Sequence, residues 1–127
     1  MKRQELSGLL SATVLLDSGY EPEGEYDTIC ACDMMSELLA SMNQTGQNSR
    51  GVVLLTNLTN PQVMRTSEMV DIKLVIFLRG KKPAPETMAL ARSCGISIMT
   101  TPHTMFSSCG ILYAEKLRDI QPQKRDV

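Results

Sequence analysis

The sequence predicts an α/β fold, a three-layer α/β/α domain with a mainly parallel central sheet of about five strands. The apolar run 74–78 is rich in β-branched and aromatic residues and is followed by Gly80 and Pro83, which is typical of a strand buried on both faces. Helical patterns flank this run on both sides, as expected for parallel strands joined by crossover helices. The chain has 127 residues, 43% of them hydrophobic and 21% charged, which suits one domain with a buried core.

The predicted elements alternate along the chain after a first helix over 2–10 and two short strands, 13–16 and 28–32. The elements that follow are a helix over 34–42, a strand over 51–56, a helix over 61–71, the central strand, a helix over 86–93, a strand over 96–99 and a helix over 103–116. We expect residues 1–117 to form the single domain. Residues 118–127 are predicted to be a flexible tail because they show no hydrophobic periodicity.

Several residues mark where the helices begin and end. Asp33 and Asn60 stand at N-cap positions, and Pro61 suits the first turn of a helix. Gly95 is typical of the residue that ends a helix. These signals place the polar turns directly after the strands.

In an open parallel sheet, ligands bind beyond the carboxyl ends of the strands, near helix N-termini. Four polar segments of this sequence meet that condition, and we expect them to converge at one sheet edge. The candidate ligand-binding residues are Asp33, Asn57, Thr59, Asn60, Arg79, Gly80, Lys81, Thr100, Thr101 and His103. The cations, together with helix N-termini worth roughly 0.3–1 kcal/mol each to an anion, favour a small ligand that bears phosphate or carboxylate.

The same residue types also have ordinary structural roles. Aspartate, asparagine and threonine are common in caps and turns, and the cations of 79–82 are typical of a solvated turn. A histidine directly after Pro102 is more often a surface or cap residue than a catalytic one. The sequence lacks a P-loop, a G-x-G-x-x-G motif and a G-x-S-x-G motif, so we predict no catalytic residue.

The four cysteines are predicted to be reduced thiols in a cytoplasmic protein. Cys30 and Cys32 share one face of a strand, and their spacing differs from the C-x-x-C of redox turns and zinc sites, so we predict neither a metal nor a cofactor. An enzyme or redox accessory that uses His103 or these two thiols stays open as an alternative. The net charge of −1 and the absence of an apolar run of ~20 residues argue against nucleic-acid and membrane partners.

Three segments together resemble a known domain: VVLLTNLTNPQV, VIFLRGKKPAPETMALARSCGI and SIMTTPHTMFSSCG. They resemble the DRTGG domain, a small α/β module of CBS-containing pyrophosphatases, long phosphotransacetylases and free-standing proteins, which is related in fold to the amino-terminal domain of HPr kinase. The Asp-Arg pair of that domain is replaced by other residues near 57–60. Of its Thr-Gly-Gly, only Gly80 is present.

The resemblance implies a regulatory or binding module without catalytic activity, and a homodimer. It also implies, as an alternative, a protein–protein interaction accessory linked to iron hydrogenase or redox metabolism, since similar free-standing proteins are often encoded near iron hydrogenase genes. Methionines are adaptable at interfaces. Six of them are candidates for a dimer interface as well as for the core: Met34, Met35, Met64, Met69, Met99 and Met105.

Overall fold

A computed structural model describes residues 1–19, 25–45 and 49–120, without the side chains of residues 44, 45 and 50. Five α-helices and a short 3₁₀ turn lie in the described part of the chain. The helices are α1 (Arg3–Leu9), α2 (Met35–Thr45), α3 (Pro61–Met69), α4 (Pro85–Cys94) and α5 (Met105–Ala114), and the 3₁₀ turn is Ser49–Gly51.

Six strands form one sheet, so the predicted α/β class and the mainly parallel sheet are confirmed with one strand more than expected. The strands are β1 (Thr13–Leu16), β2 (Thr28–Ala31), β3 (Val52–Thr56), β4 (Leu74–Phe77), β5 (Ser97–Thr100) and β6 (Arg118–Asp119). Their spatial order is β1-β5-β4-β3-β2-β6. Strand β1 runs antiparallel to β5, and every other pair is parallel.

The central strands are buried on both faces, as their continuous apolar sequences predict. Every residue of β3, β4 and β5 is buried, and β4 lies between the other two. Residues 54–56 of β3 align with residues 75–77 of β4. The strands therefore end at the same level, which brings their following turns together.

The two faces of the sheet carry different numbers of helices. The crossovers from β2 to β5 all step in one direction, and right-handed connections place α2, α3 and α4 on the same side, which we call the three-helix face. Its core contains Leu38, Val63, Met64 and Ala91 from those helices. The opposite side, the two-helix face, is covered by α1 and α5, with Leu6, Leu10 and Leu112 against the sheet.

The sixth strand was not anticipated from the sequence. Arg118 and Asp119 pair with Thr28 and Ile29 of β2, and Ile120 is buried. The sheet thus extends into the first residues of the segment that the sequence assigned to a tail. Residues 121–127 of that segment lie outside the described residues. No helix in the described ranges is both long and apolar enough to cross a membrane.

Candidate functional site

The turns after four parallel strands form one polar rim at the carboxyl edge of the sheet. At the β2–β3 side, which we call the acidic half, Asp33 reaches across to the end of β3. Its Oδ1 accepts hydrogen bonds from the Asn57 backbone N–H at 2.7 Å and the Thr56 hydroxyl at 3.1 Å, and its Oδ2 accepts from the Asn57 amide at 3.0 Å. The predicted N-cap role of Asp33 is therefore replaced by a link between two strands.

This network controls the ionisation of Asp33. Burial acts to raise the pKa of its carboxyl, but the hydrogen bonds from Asn57 and Thr56, with the attraction of the nearby Lys81, outweigh burial and lower the pKa below its ordinary value. The carboxylate therefore stays charged at neutral pH. Its lone pairs already accept three hydrogen bonds, which makes Asp33 a structural organiser of the rim.

The basic half of the rim is residues 79–82, the tight turn after β4. Arg79 and Gly80 both have positive φ, 60° and 68°, and the Lys81 N–H bonds back to the Leu78 carbonyl at 3.1 Å. Two consecutive positive φ values with this bond are typical of a type I′ turn. Glycine adopts this conformation freely, whereas arginine there costs roughly 1–2 kcal/mol.

The side chains of the basic half are presented to solvent. Arg79, Lys81 and Lys82 are all exposed. Lys81 makes one long contact, 3.5 Å from its Nζ to the Asn57 carbonyl, which joins the two halves. Among the described residues, the Arg79 and Lys82 side chains have neither a hydrogen-bond nor an ion-pair partner. The cations of Arg79 and Lys82 are thus available at this edge, and that of Lys81 is available when its one long contact breaks.

The backbone of the basic half is nevertheless held firmly against β5. The Arg79 N–H donates to the His103 carbonyl at 2.9 Å, and the Gly80 N–H donates to the Thr101 carbonyl at 2.7 Å. The Thr100 hydroxyl donates to the Lys81 carbonyl at 2.7 Å. These bonds fix the backbone of the turn in place, so its exposed cationic side chains extend from an anchored backbone.

Some predicted residues lie at the rim with their polar groups committed elsewhere. The Thr101 hydroxyl is fully buried and donates to the Leu10 carbonyl at 2.5 Å, so it ties β5 to α1 and faces away from the rim. The Thr59 carbonyl accepts from the Thr87 hydroxyl at 2.7 Å. Asn60 is the exposed N-cap residue of α3, without the predicted side-chain cap bond. His103 is half-buried.

The helix N-termini add unpaired backbone donors to the rim. Helices α3 and α4 begin directly after the β3 and β4 turns, each with a proline in its first turn and neither with a side-chain cap. Proline contributes no N–H, and the Val63 N–H bonds to the Asn60 carbonyl at 3.2 Å, so the N–H groups left to an anion are those of Gln62 in α3 and Glu86 in α4. Helix α5, which follows the turn after β5, does have a side-chain cap, because the Thr104 hydroxyl accepts a hydrogen bond from the Ser107 N–H at 3.2 Å. Glu86 in the first turn of α4 opposes an anion locally.

The thiols of Cys30 in β2 and of Cys32, just after it, lie under the rim on the three-helix face. The sulfur atoms of Cys30 and Cys32 are 3.9 Å apart, and both side chains are buried. Their mutual hydrogen bond, and then burial, raise the pKa of the Cys30 thiol far above its ordinary value. Within the described ranges, no group of three His, Cys, Asp or Glu side chains is placed to hold a metal ion.

Two features of the molecule lie outside the sequence predictions. The Thr56 hydroxyl donates to Asp33 and accepts from the Leu58 N–H. A threonine at the end of a buried strand gives no sequence signal of this role. An apolar groove of about 890 Å³ opens beside α5 on the two-helix face, next to the exposed rings of Phe106 and Tyr113. The seven-residue spacing of these rings, which puts both on one side of a helix, was the available signal.

The fold and rim together define a class: a small open α/β domain with a polar, partly cationic edge at the carboxyl ends of its parallel strands. A scan against family models finds no match, and a search of curated proteins also finds none. Among solved structures, the chain is similar to the CBS and DRTGG domains of the regulatory region of Clostridium perfringens pyrophosphatase, determined in complex with its activator, diadenosine tetraphosphate.

The similarity to that regulatory region is one of fold. The two chains share 19% identity with a TM-score of 0.63, and the match covers 87% of this chain and 45% of the other. This chain therefore spans less than half of the regulatory structure that it matches. The chain has a DRTGG-like fold, as the sequence resemblance predicted.

Proposed function

We propose that this chain is a non-catalytic regulatory module that binds a nucleotide or a phosphorylated metabolite at the rim. The observation that carries the proposal is the turn at 79–82, where exposed cations stand on a rigid base beside the uncapped N-termini of α3 and α4. Phosphate groups favour both kinds of partner. The similar regulatory region was crystallised with a dinucleoside tetraphosphate, which supports the same class of ligand.

The two halves of the rim have separate roles in this proposal. Asp33 organises the β2 and β3 ends and repels an anion, so the ligand's phosphates lie toward Arg79 and Lys81. Asn57 stands between the halves, and its Oδ1 is buried without a partner in the described residues. If residues 79–82 are only a solvated turn, they should show no preference for any ligand. This alternative can therefore be tested against the proposal.

The test compares thermal stabilisation of three proteins by ATP, diadenosine tetraphosphate and inorganic pyrophosphate. The double variant Arg79→Gly/Lys81→Gln removes both charges while keeping a residue that accepts positive φ at position 79. Arg92→Gln is the matched control, because Arg92 is an exposed cation in the last turn of α4, at the opposite sheet edge.

Wild type and Arg92→Gln should be stabilised equally. A ligand at about 100 times its Kd stabilises the folded state by ~2.7 kcal/mol, which raises the melting temperature by several degrees. The double variant should lose this shift. An equal shift in the double variant would place the binding elsewhere, and no shift in any of the three proteins with any probe would refute the proposed ligand class.

A second candidate function is protein–protein interaction, including the homodimer and the redox-linked accessory role implied by the family resemblance. The exposed apolar groove beside α5 favours it. We place either function in the cytoplasm, where the buried thiols would stay reduced. Capture of a partner by immobilised protein, lost on polar substitution of the exposed α5 rings, would distinguish this candidate from ligand binding.

A further inference from the structure

Two thiols lie side by side beneath the acidic half of the rim. Residues 30 and 32 are two positions apart at the end of β2, so their side chains leave the same face of the sheet, and the Cys30 and Cys32 sulfurs are 3.9 Å apart. Cys32 directly precedes Asp33, and both thiols are buried among the apolar side chains of the three-helix face. The fold thus holds two soft donor atoms together in apolar surroundings.

The distance between the two sulfurs suits a shared metal ion better than a disulfide. A disulfide bond is about 2.05 Å long, so the sulfurs would have to close about half of their separation. Along a strand, the Cα atoms of residues two positions apart are about 6.6 Å from each other, near the upper limit for a disulfide. A metal ion bound to two thiolates at about 2.3 Å instead needs sulfurs about 3.8–4.6 Å apart, for bond angles from tetrahedral to linear. The observed 3.9 Å lies inside that range.

The number and kind of the donor atoms select the metal. In the described ranges, no third His, Cys, Asp or Glu side chain completes a metal-binding group with these two thiols. That excludes ordinary zinc sites, which are almost always four-coordinate, and calcium and magnesium require oxygen ligands. Soft thiolate and thioether donors favour copper(I), an ion that is stable at a low coordination number. Thioether sulfur belongs to the same cluster, because Met42 is part of it and Met35 packs against it.

We propose that Cys30 and Cys32 form a binding site for a single copper(I) ion beneath the rim. Binding exchanges the two thiol protons for the metal ion, so the complex carries one negative charge. The Cys32 sulfur also accepts a hydrogen bond from the Met34 backbone N–H, directly before α2, which helps to stabilise this charge. The apolar residues around the pair limit the access of water, which favours the reduced ion.

The acidic half of the rim supplies the route to this site. Cys30 is 2% exposed and Cys32 is 9% exposed, so the ion reaches the pair through Cys32, at the end of the strand. The carboxylates of Asp33 and Glu37 lie near enough for their charges to act on the Cys32 sulfur. They attract a cation to this side of the sheet edge, whereas the exposed cations of 79–82 attract anions. The copper(I) site is therefore separate from the anion site proposed for the basic half.

The first experiment titrates the reduced protein with copper(I) under anaerobic conditions, in competition with the chromophoric chelator bicinchoninate. The wild type should withdraw one equivalent of copper from the chelator. The double variant Cys94→Ser/Cys109→Ser is the matched control and should bind equally, because those half-buried thiols belong to α4 and α5. Cys30→Ala and Cys32→Ala should each lower the affinity by more than ~100-fold, since loss of an outer-shell partner alone costs ~10–100-fold.

The second experiment, X-ray absorption of the wild-type copper complex, needs no substitution and so holds even if an alanine variant fails to fold. It should show only sulfur neighbours, at about 2.3 Å. The complex should also elute from gel filtration at the volume of the metal-free protein.

Four outcomes would overturn the proposal. They are a wild type that cannot compete with the chelator, full copper affinity in Cys30→Ala, nitrogen or oxygen neighbours around the copper, and a copper-dependent increase in mass, which would place the ion between chains. The thermal test of the rim contains no copper, so failure here leaves the rim proposal untouched.

Discussion

The two halves of the rim use similar polar residues in opposite ways. In the acidic half, the carboxylate, amide and hydroxyl of Asp33, Asn57 and Thr56 bond to one another. In the basic half, the backbone is fixed by β5 while the charged side chains extend into solvent. The acidic half therefore contributes to stability, whereas the basic half keeps its charges exposed.

The largest expected difference between the halves is in the free energy of unfolding. Asp33→Ala leaves three donors of Asn57 and Thr56 without their acceptor and should cost about 1–2 kcal/mol, limited by the solvent exposure of Asp33. The double variant Arg79→Gly/Lys81→Gln should be as stable as wild type or more stable by up to about 1 kcal/mol, because glycine relieves the positive φ of position 79, a gain that its greater unfolded-state entropy offsets in part. Urea denaturation measures both, and comparable losses would remove the distinction.

A pair of glycine substitutions isolates the backbone contribution of the basic half. Gly80→Ala should cost about 1 kcal/mol because position 80 has a φ of 68°, where a Cβ is strained. Gly8→Ala should instead stabilise by about 0.5–1 kcal/mol, since Gly8 lies in helix α1 with open space around it. Thermal unfolding of both proteins gives the comparison. A Gly80→Ala protein as stable as wild type would show that the turn adopts a different conformation.

The smallest expected effect is the pH dependence of the acidic half. The pKa of Asp33 is lowered in the folded state, so the carboxylate stabilises the fold above its unfolded pKa of ~3.9. That stabilisation is lost as pH falls below ~3.9 and through the lower folded pKa. The stability gap between wild type and Asp33→Asn should therefore be constant from pH 5 to pH 7. It should narrow steadily at more acid pH in urea titrations, and a gap that widens on acidification would contradict the assignment.

The order of the five helices and the first five strands was readable from the sequence because periodicity and turn chemistry are local. The run 74–78 contains β4 at the centre of the sheet, and Gly95 ends α4 with a φ of 70° as expected. The helix boundaries differ from the predicted ones where a cap residue was the only signal. Asp33 bonds across strands rather than to α2, and the final helix begins at Met105, after the Thr104 cap, rather than at 103.

The methionines show why composition alone leaves an interface undecided. Met64 and Met99 are fully buried in the two cores, whereas Met34 and Met69 are largely exposed. All four lie in helical or strand patterns of similar apolar character. Burial depends on which surfaces meet in space, so the exposed rings of α5, rather than the methionines, mark the open surface.

The α/β class, the parallel central strands and the convergence of polar turns at one edge were all readable from the sequence, because each follows from hydrophobic period and right-handed connection. The direction and partners of the polar groups in those turns depend instead on tertiary contacts. The Thr101 hydroxyl turns inward to Leu10, Asp33 accepts hydrogen bonds from Asn57, and the Arg79 side chain has no partner within the part of the chain that the structure describes. Arg118 and Asp119 pair with β2 for the same reason. Residues distant in sequence supply the hydrogen-bond partners of all these groups, and a local sequence pattern does not specify which residues those are.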